Sequence, residues 1–252
     1  MAAAARLRLL ILGGTAEAAA LARRADATLG AHIAVITSLA GRLPGRPELP
    51  GDVRIGGFGG AGGLKAYLAD AGIDLVIDAT HPFAAVISQA AAEACSARGI
   101  PRLMLVRPPW TPQPGDDWRQ VESPAEAAEL LPKLARRVLL ATGPGSAAAF
   151  AHLADIWFLL RLFAPPAAPL PLAHYETIVA RPPFTRDGEA ALLARHRIEA
   201  LVCKNSGGPT QAKLAAARAA GLPVVIFRRP PLPAGEQAAD PDAAFAWLLQ
   251  HL

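Results

Sequence analysis

The 252-residue sequence is poor in cysteine, histidine and aromatic residues, and each shortage excludes a class of protein. Its 2 cysteines, Cys95 and Cys203, lie far apart without metal-ligand spacing, so idle thiols are expected rather than a disulfide framework. The 6 histidines lack the paired spacing of a metal site. Aromatic residues form 6% of the chain, too few for a platform on which nucleic-acid bases stack. We therefore expect neither a bound metal nor a nucleic-acid partner.

Long charged blocks and long apolar runs are missing as well. The formal net charge is +4, but no block of lysine and arginine is long enough for a nucleic-acid arm, and the surplus suits an anionic small molecule. No apolar run approaches the roughly 20 residues that cross a bilayer. The run after Arg6 and Arg8 is too short for a signal peptide. A cytoplasmic monomer or small homo-oligomer without a membrane partner is expected.

Three catalytic signatures are absent from the sequence. There is no G-x-S-x-G nucleophile turn and no G-x-x-x-x-G-K-[ST] phosphate loop. The Tyr-x-x-x-Lys pair of short-chain dehydrogenases is absent too, because the residue four positions after Tyr67 is Ala71 and the one four positions after Tyr175 is Val179. Enzymes with a nucleophile elbow, P-loop proteins and short-chain dehydrogenases are thereby disfavoured.

What the chain does contain is an alternation of short apolar runs with helical patterns. The runs lie at 7–12, 32–41, 52–60, 74–80 and 102–108, and then at RVLLATG, WFLLRLF, EALVCKN and PVVIFRRP. This pattern indicates parallel strands covered by helices on both faces. The proline-bearing stretch 108–117 interrupts it and is the best candidate linker. We predict two Rossmann-like, doubly wound α/β domains, 1–112 for the cofactor and 113–252 for the substrate, with the active site in the cleft between them.

The first strand ends in Gly13-Gly14-Thr15, and an alanine-rich helical pattern follows at once. A strand that turns sharply into a helix presents backbone N–H groups at the positive end of the helix dipole, which suits a phosphate. The match to G-x-G-x-x-G/A is imperfect, because Thr15 stands at the second glycine and Ala18 at the last position. The motif alone fits an ordinary strand–turn–helix equally well.

The second strand ends in polar residues without an acid. A carboxylate here would bind a ribose 2′-OH and repel a 2′-phosphate, whereas hydroxyls and guanidinium groups would hold the phosphate. Ser38 and Arg42, with Arg46 as a possible second cation, therefore favour NADP over NAD. The alternative is a simple polar loop.

The fourth strand leads into the turn Thr80-His81-Pro82-Phe83. A lone histidine is more often a structural hydrogen-bonding group than a catalyst, but its place after a buried strand favours ligand contact. Proline prevents the helix from extending back through His81.

Three features of the second half are candidate anion sites. The segment Thr142-Gly143-Pro144-Gly145-Ser146 repeats the strand–glycine–helix arrangement. Lys204 ends a strand and precedes Asn205-Ser206-Gly207-Gly208, and a lysine there needs an anionic partner or a path to the surface. Arg161 lies within an apolar strand pattern, where it either faces a ligand or pairs with an acid.

Taken together, ILGGTAEA, VITSLAGR, GGFGG, DLVIDATHPFA and LVCKNSGG resemble the precorrin-6A reductases of cobalamin biosynthesis. The resemblance runs over nearly the whole chain. It implies NADPH-dependent reduction of a ring double bond of the tetrapyrrole precorrin-6A to precorrin-6B, with neither metal nor flavin. It also implies roles for Gly13, Gly14, Thr15 and Glu17, for 79–84, and for 204–208.

These considerations define the expected site. The expected catalytic residues are Lys204, Asn205 and His81. The expected NADPH ligands are Gly13, Gly14, Thr15, Glu17, Ser38, Arg42, Thr80, His81, Pro82 and Phe83. The expected substrate ligands are Lys204, Asn205, Ser206, Gly207, Gly208, Thr142, Gly143 and Arg161. Three alternatives remain open: a cobalt-precorrin-6A reductase, a tetrapyrrole methyltransferase that uses Gly143-Pro144-Gly145, and a non-catalytic dinucleotide sensor.

Overall fold

The computed structural model describes residues 6–41 and 48–252, which form two compact units. The first unit runs to Pro108 and also contains Pro230–Leu252, while the second comprises Pro109–Arg229. The chain therefore passes between the units twice. Each unit is built on one parallel sheet of six strands.

The first unit has the strand order of a dinucleotide-binding sheet, β3-β2-β1-β4-β5-β12. Its strands are β1 (Leu7–Leu12), β2 (Ile33–Leu39), β3 (Asp52–Ile55), β4 (Leu75–Asp78), β5 (Arg102–Leu105) and β12 (Glu236–Ala238). Its helices are α1 (Ala16–Leu29), α2 (Gly60–Asp70), α3 (Ala85–Ser96) and α7 (Pro241–Leu249). The strand order reverses between β1 and β4, and ligands of such sheets bind outside this point.

Alternate side chains of β1 fill the two faces of this sheet. Leu9 and Ile11 pack in one core with α1 and α7, whereas Leu10 and Leu12 pack in the other with α2 and α3. All four side chains are essentially inaccessible to water. Because both faces are covered, residues 9–12 form a continuous apolar run rather than an alternating one, as the sequence predicts.

The second unit has the order β9-β8-β7-β10-β11-β6, which matches the first sheet except that its last position holds the first strand of the unit, β6. Its strands are β6 (Asp117–Val121), β7 (Arg137–Ala141), β8 (Trp157–Leu162), β9 (His174–Val179), β10 (Ala200–Lys204) and β11 (Pro223–Phe227). Its α-helices are α4 (Pro124–Leu130), α5 (Arg186–Arg195) and α6 (Ala212–Ala219), and 3-10 helices span Leu131–Lys133 and Pro144–Phe150. The strand order reverses between β7 and β10.

The predicted fold class, two parallel-sheet α/β domains, is confirmed. The predicted division at residue 112 differs from the observed units, because β12 pairs with β5 and α7 packs in the core of the first unit. The sequence pattern also missed the edge strands β6, β9 and β12. These strands lack buried apolar runs, since much of each is exposed. The helix expected after Gly145 is a 3-10 helix.

Candidate functional site

The turn after β1 is shaped by its two glycines. The Gly13 N–H donates to the Ser38 carbonyl at 2.9 Å, which keeps the turn against β2. A Cβ on Gly13 would lie 3.0 Å from Cγ2 of Thr37, tighter than normal contact. Gly14 has a φ of +108°, a backbone conformation that side chains other than glycine rarely adopt. The turn is thus a narrow backbone cradle.

Thr15 joins this turn to the end of β4. Its hydroxyl accepts from the Ala18 N–H at 3.1 Å as the N-cap of α1, and it donates to the Ala79 carbonyl at 2.8 Å. The first N–H groups of a helix lack intrahelical acceptors, and the dipole favours anions there. The structure therefore places the start of α1, where an anion would be favoured, at the point where the strand order reverses.

Glu17 lies in the first turn of α1, where its charge would oppose a bound phosphate. Arg107, just beyond β5, donates to both carboxylate oxygens at 3.0 and 2.9 Å. Both side chains are largely buried, with exposed fractions of 16% for Arg107 and 19% for Glu17. The ion pair neutralises the acid and fixes the helix start against β5. Arg107 thus has a carboxylate partner within the protein.

The turn after β4 is organised by Asp78, which the sequence pattern did not single out. This carboxylate is 3% exposed and accepts from the Thr80 N–H at 3.1 Å and from the Thr80 hydroxyl at 2.7 Å. Nδ1 of His81 accepts from the Phe83 N–H at 3.2 Å. In the neutral ring this places the proton on Nε2. The turn is therefore held by its own polar groups.

Two open depressions flank this turn. One, of about 180 Å³, lies among Thr15, Glu17, Thr80, Pro82, Leu105 and Arg107. The other, of about 310 Å³, is lined partly by Asp78, His81, Ser88, Met104 and Pro230. Thr80 and Pro82 border both depressions. The smaller depression thus brings Thr15 and Glu17, which follow β1, together with Thr80 and Pro82, which follow β4.

At the end of β2, Ser38 is buried and its hydroxyl accepts from Arg54 at 3.3 Å. Arg54 belongs to β3, where it pairs in register with Ser38. The sequence pattern missed Arg54, because only the strand pairing brings it to this point. Arg42 and Arg46 lie outside the described residues.

In the second unit, Lys204 is the half-buried last residue of β10. The side chain of the next residue, Asn205, forms hydrogen bonds with the proline-bearing stretch 108–117. Oδ1 of Asn205 accepts from the Trp110 N–H at 2.8 Å, and its Nδ2 donates to the Trp110 carbonyl at 3.0 Å. The backbone carbonyl of Asn205 accepts from Nε of Arg229 at 2.8 Å. Asn205 therefore holds both segments through which the chain enters and leaves the second unit.

The residues after Asn205 continue this anchoring. The Trp110 indole N–H donates to the Gly208 carbonyl at 2.9 Å, and Gly207 and Gly208 both have positive φ. The Ser206 N–H donates to the Lys204 carbonyl at 2.8 Å. The ammonium of Lys213 lies 4.5 Å above the Trp110 ring. Lys213, 9% exposed, was not anticipated from the sequence.

The other expected substrate residues have partners within the protein. The Thr142 and Ser146 hydroxyls lie 2.6 Å apart, beside Gly143 with its φ of +83°. Arg161 forms a two-pronged ion pair with Glu189, with Nη1–Oε1 at 2.7 Å and Nη2–Oε2 at 2.9 Å. The exposed fractions of the two side chains are 8% and 2%. Of the two readings of Arg161, the structure favours pairing with an acid.

Residues 6–41 and 48–252 also contain two buried thiols, those of Cys95 and Cys203. Burial raises the pKa of both Cys95 and Cys203 to about 11, which keeps these thiols protonated at neutral pH. Within those ranges no cluster of three metal-ligating side chains occurs. No helix there is long and apolar enough to cross a membrane.

Comparison with known proteins shows which family has this sequence. Residues 8–249 match the family described as Precorrin-6x reductase CbiJ/CobK. A precorrin-6A reductase of Rhodococcus erythropolis is 50% identical over 244 residues, covering 96% of this chain and 97% of the relative. A cobalt-precorrin-6A reductase of Salmonella typhimurium is 32% identical, covering 96% of this chain and 95% of the relative.

The fold leads to the same group of proteins. A solved structure described as "CobK precorrin-6A reductase" is 42% identical and superposes with a TM-score of 0.89, covering 97% of both chains. The family match, the sequence identity and the fold each extend over almost the entire chain. The chain therefore belongs to the precorrin-6x reductase CbiJ/CobK family.

Proposed function

We propose that this chain catalyses the NADPH-dependent reduction of a ring double bond of precorrin-6A to give precorrin-6B. The observation that carries the proposal is family membership over almost the full chain, including relatives named precorrin-6A reductase. The narrow cradle at Gly13–Thr15 is the independent structural support. Its helix start and strand-order reversal are the features with which parallel sheets bind a pyrophosphate.

The residues of the cradle fit the pyrophosphate of a nicotinamide dinucleotide. Gly13 leaves room that a Cβ would fill, and Gly14 provides the backbone conformation that the turn requires. Thr15 holds the helix start against β4. The charge of Glu17 is compensated by Arg107, so the positive end of α1 remains available to an anion.

The end of β2 distinguishes the two nicotinamide cofactors. A carboxylate at this point favours NAD, because it accepts from the free ribose 2′-OH. Ser38 stands at this point instead, with a guanidinium beside it. This arrangement supports NADPH as the cofactor.

On the other side of β1, the turn Thr80–Phe83 is suited to position the nicotinamide end. Bound NADPH supplies the hydride, and the protein supplies orientation and electrostatics. Asp78 holds the Thr80 hydroxyl and N–H, and His81 keeps its Nε2 as an N–H donor. We assign these residues to cofactor placement.

Lys204 is our proposed substrate ligand in the second unit. Its ammonium group, at the carboxyl end of a central strand, matches a substrate rich in carboxylates. Asn205 is better assigned to anchoring Trp110, because both ends of its amide are occupied there. Arg161 is assigned to its ion pair with Glu189.

The test is to mix the purified chain with NADPH and precorrin-6A and to follow the loss of NADPH absorbance and the mass of the product. Parallel reactions receive the cobalt-bearing substrate and NADH. Turnover of metal-free precorrin-6A with NADPH is expected to be fastest, because the Rhodococcus relative is 50% identical and the Salmonella cobalt relative 32%. Absence of NADPH oxidation with either substrate would exclude the proposed reaction.

Lys204→Ala separates anchoring from catalysis. A rise in KM alone indicates substrate anchoring, whereas a fall in kcat alone indicates a role in the transition state. The matched control is Lys133→Ala, which removes an exposed lysine from the same unit. If both variants keep normal kinetics, Lys204 has no role in the reaction.

A further inference from the structure

We propose that Arg54 binds the 2′-phosphate of NADPH and thereby sets the preference for the phosphorylated cofactor. The inference rests on the proposed NADPH-dependent reduction and extends it to a residue that neither the sequence pattern nor the comparisons single out. Four features of Arg54 support it: its place in the sheet, its fixed orientation, its uncompensated charge and its unused N–H groups.

The place of Arg54 follows from the register of the sheet. Arg54 in β3 pairs with Ser38 in β2, and β2 lies beside β1. In dinucleotide-binding sheets the group that recognises the 2′ position of the adenosine ribose comes from the end of the second strand. Arg54 stands beside that end through strand pairing, although it lies 16 residues further along the chain.

The Arg54 guanidinium is held in one orientation before any ligand arrives. Its Nη1 donates to the Gly56 carbonyl at 2.5 Å and to the Ser38 hydroxyl at 3.3 Å, and its Nη2 donates to the Gly57 carbonyl at 2.6 Å. Its central carbon lies 3.8 Å from the centre of the Phe58 ring. Such preorganisation reduces the entropy that a bidentate phosphate contact would otherwise lose.

The charge of Arg54 is not neutralised by a neighbouring acid. In residues 6–41 and 48–252, no carboxylate lies within ion-pair distance of it. Other partly buried arginines of this protein do pair with acids, namely Arg107 with Glu17, Arg161 with Glu189, and Arg218 with Asp116. The acceptors of Arg54 among these described residues are uncharged oxygens, so its positive charge is left uncompensated there and is available to an anion.

Donor capacity also remains on this group. A guanidinium has five N–H groups, and the three hydrogen bonds to Ser38, Gly56 and Gly57 use three of them. Within the described part of the chain, two N–H groups are left for an incoming oxygen. Two donors in a planar group match the geometry of phosphate. The Ser38 hydroxyl, which accepts from Arg54, can donate its own proton to the same phosphate.

The competing explanation is that Arg54 only closes the loop through the Gly56 and Gly57 carbonyls. This explanation predicts an effect on folding and on both cofactors alike. Phosphate recognition predicts an effect on NADPH alone, because NADH has no 2′-phosphate. Cofactor discrimination therefore separates the two explanations.

The experiment is a binding titration of the full chain with NADPH, NADH and 2′,5′-ADP, followed by cofactor fluorescence or calorimetry. Arg54→Gln is expected to raise the Kd of NADPH and of 2′,5′-ADP by ~10- to 100-fold and to leave the Kd of NADH nearly unchanged. Arg54→Lys should lie between, because lysine keeps the charge but loses the planar pair of donors. The matched control is Arg102→Gln, which removes a guanidinium–carbonyl contact to Ala234 elsewhere in the same sheet.

Three results would overturn the assignment. Equal weakening of NADPH and NADH would mean that Arg54 only shapes the loop, and unchanged binding of both would place the 2′-phosphate elsewhere. If circular dichroism shows that Arg54→Gln does not fold, the Arg54→Lys variant decides. An Arg54→Lys variant that folds and binds NADPH as tightly as the parent would also place the 2′-phosphate elsewhere. If the unmodified chain binds neither cofactor, the proposed function itself fails, a result independent of the variants.

Discussion

The ion pair between Arg161 and Glu189 gives the most demanding test of the structural interpretation. The sequence alone left open whether Arg161 binds a ligand or an acid, and the two possibilities have opposite consequences. In the structure, the two terminal nitrogens of Arg161 donate hydrogen bonds to the two carboxylate oxygens of Glu189, at 2.7 and 2.9 Å. We therefore expect Arg161→Met to destabilise the protein.

The magnitude follows from burial. Glu189 is 2% exposed, so Arg161→Met leaves a carboxylate without its partner and out of contact with water. Breaking a buried pair in this way costs about 3–5 kcal/mol, whereas replacing both charges by apolar groups is often neutral. For a chain of this size the single substitution should lower Tm by roughly 6–20 °C.

The double variant Arg161→Met/Glu189→Leu should recover most of the loss. It also removes the Arg161 Nε group, which has no hydrogen-bond partner among the described residues. The assay is urea and thermal unfolding of the parent, both single variants and the double variant, combined as a double-mutant cycle. A large favourable coupling energy is expected.

Two outcomes would refute this reasoning. If Arg161→Met unfolds like the parent protein but raises KM for the substrate, then Arg161 is a substrate ligand. If the losses of the two single variants simply add in the double variant, the side chains do not interact as the structure describes.

Three further predictions concern Asn205, Thr15 and the two buried cysteines. Asn205→Ala should lower the unfolding free energy by about 1–3 kcal/mol, because two hydrogen bonds to the linker are lost, and an unchanged urea midpoint would contradict it. Thr15→Val should lower stability by about 1 kcal/mol and weaken NADPH binding, whereas Thr185→Val, which removes the same type of cap from α5, should affect stability alone. Cys95 and Cys203 should resist alkylation in the native protein, and rapid labelling would contradict this. Because burial raises their pKa from 9.0 to about 11, the thiols of the unfolded chain ionise first as the pH rises. Their contribution to the unfolding free energy should therefore be full below pH 9 and be lost as the pH rises toward 11, and an unfolding free energy that stays constant over this range would contradict it.

The elements that could be predicted from the sequence are those whose cause is local. Residues 9–12 of β1 are all apolar because both faces of the strand are covered there, and Thr15 caps α1 because its hydroxyl reaches an N–H three residues ahead. Such causes can be recognised without knowing what packs nearby. The parallel α/β class, the central strands and the glycine turn belong to this group.

Assignments that depend on distant partners could not be predicted in the same way. The amide of Asn205 and its partner Trp110 are 95 residues apart, so nothing near Asn205 shows that its side chain is occupied. Arg54 acquires its place only through the register of β2 and β3. The edge strands β6, β9 and β12 were missed for a related reason, since their exposed polar residues resemble loops until a neighbouring strand supplies hydrogen bonds.

The sequence by itself therefore determined the type of each domain, the cradle at Gly13–Thr15 and the family resemblance, because period, turn and capping preferences act over a few residues. The tertiary structure alone decided that Pro230–Leu252 completes the first sheet and which acids neutralise the buried arginines. Strand pairing and ion pairing join residues far apart in the chain, and their energies depend on burial and distance that only folding creates.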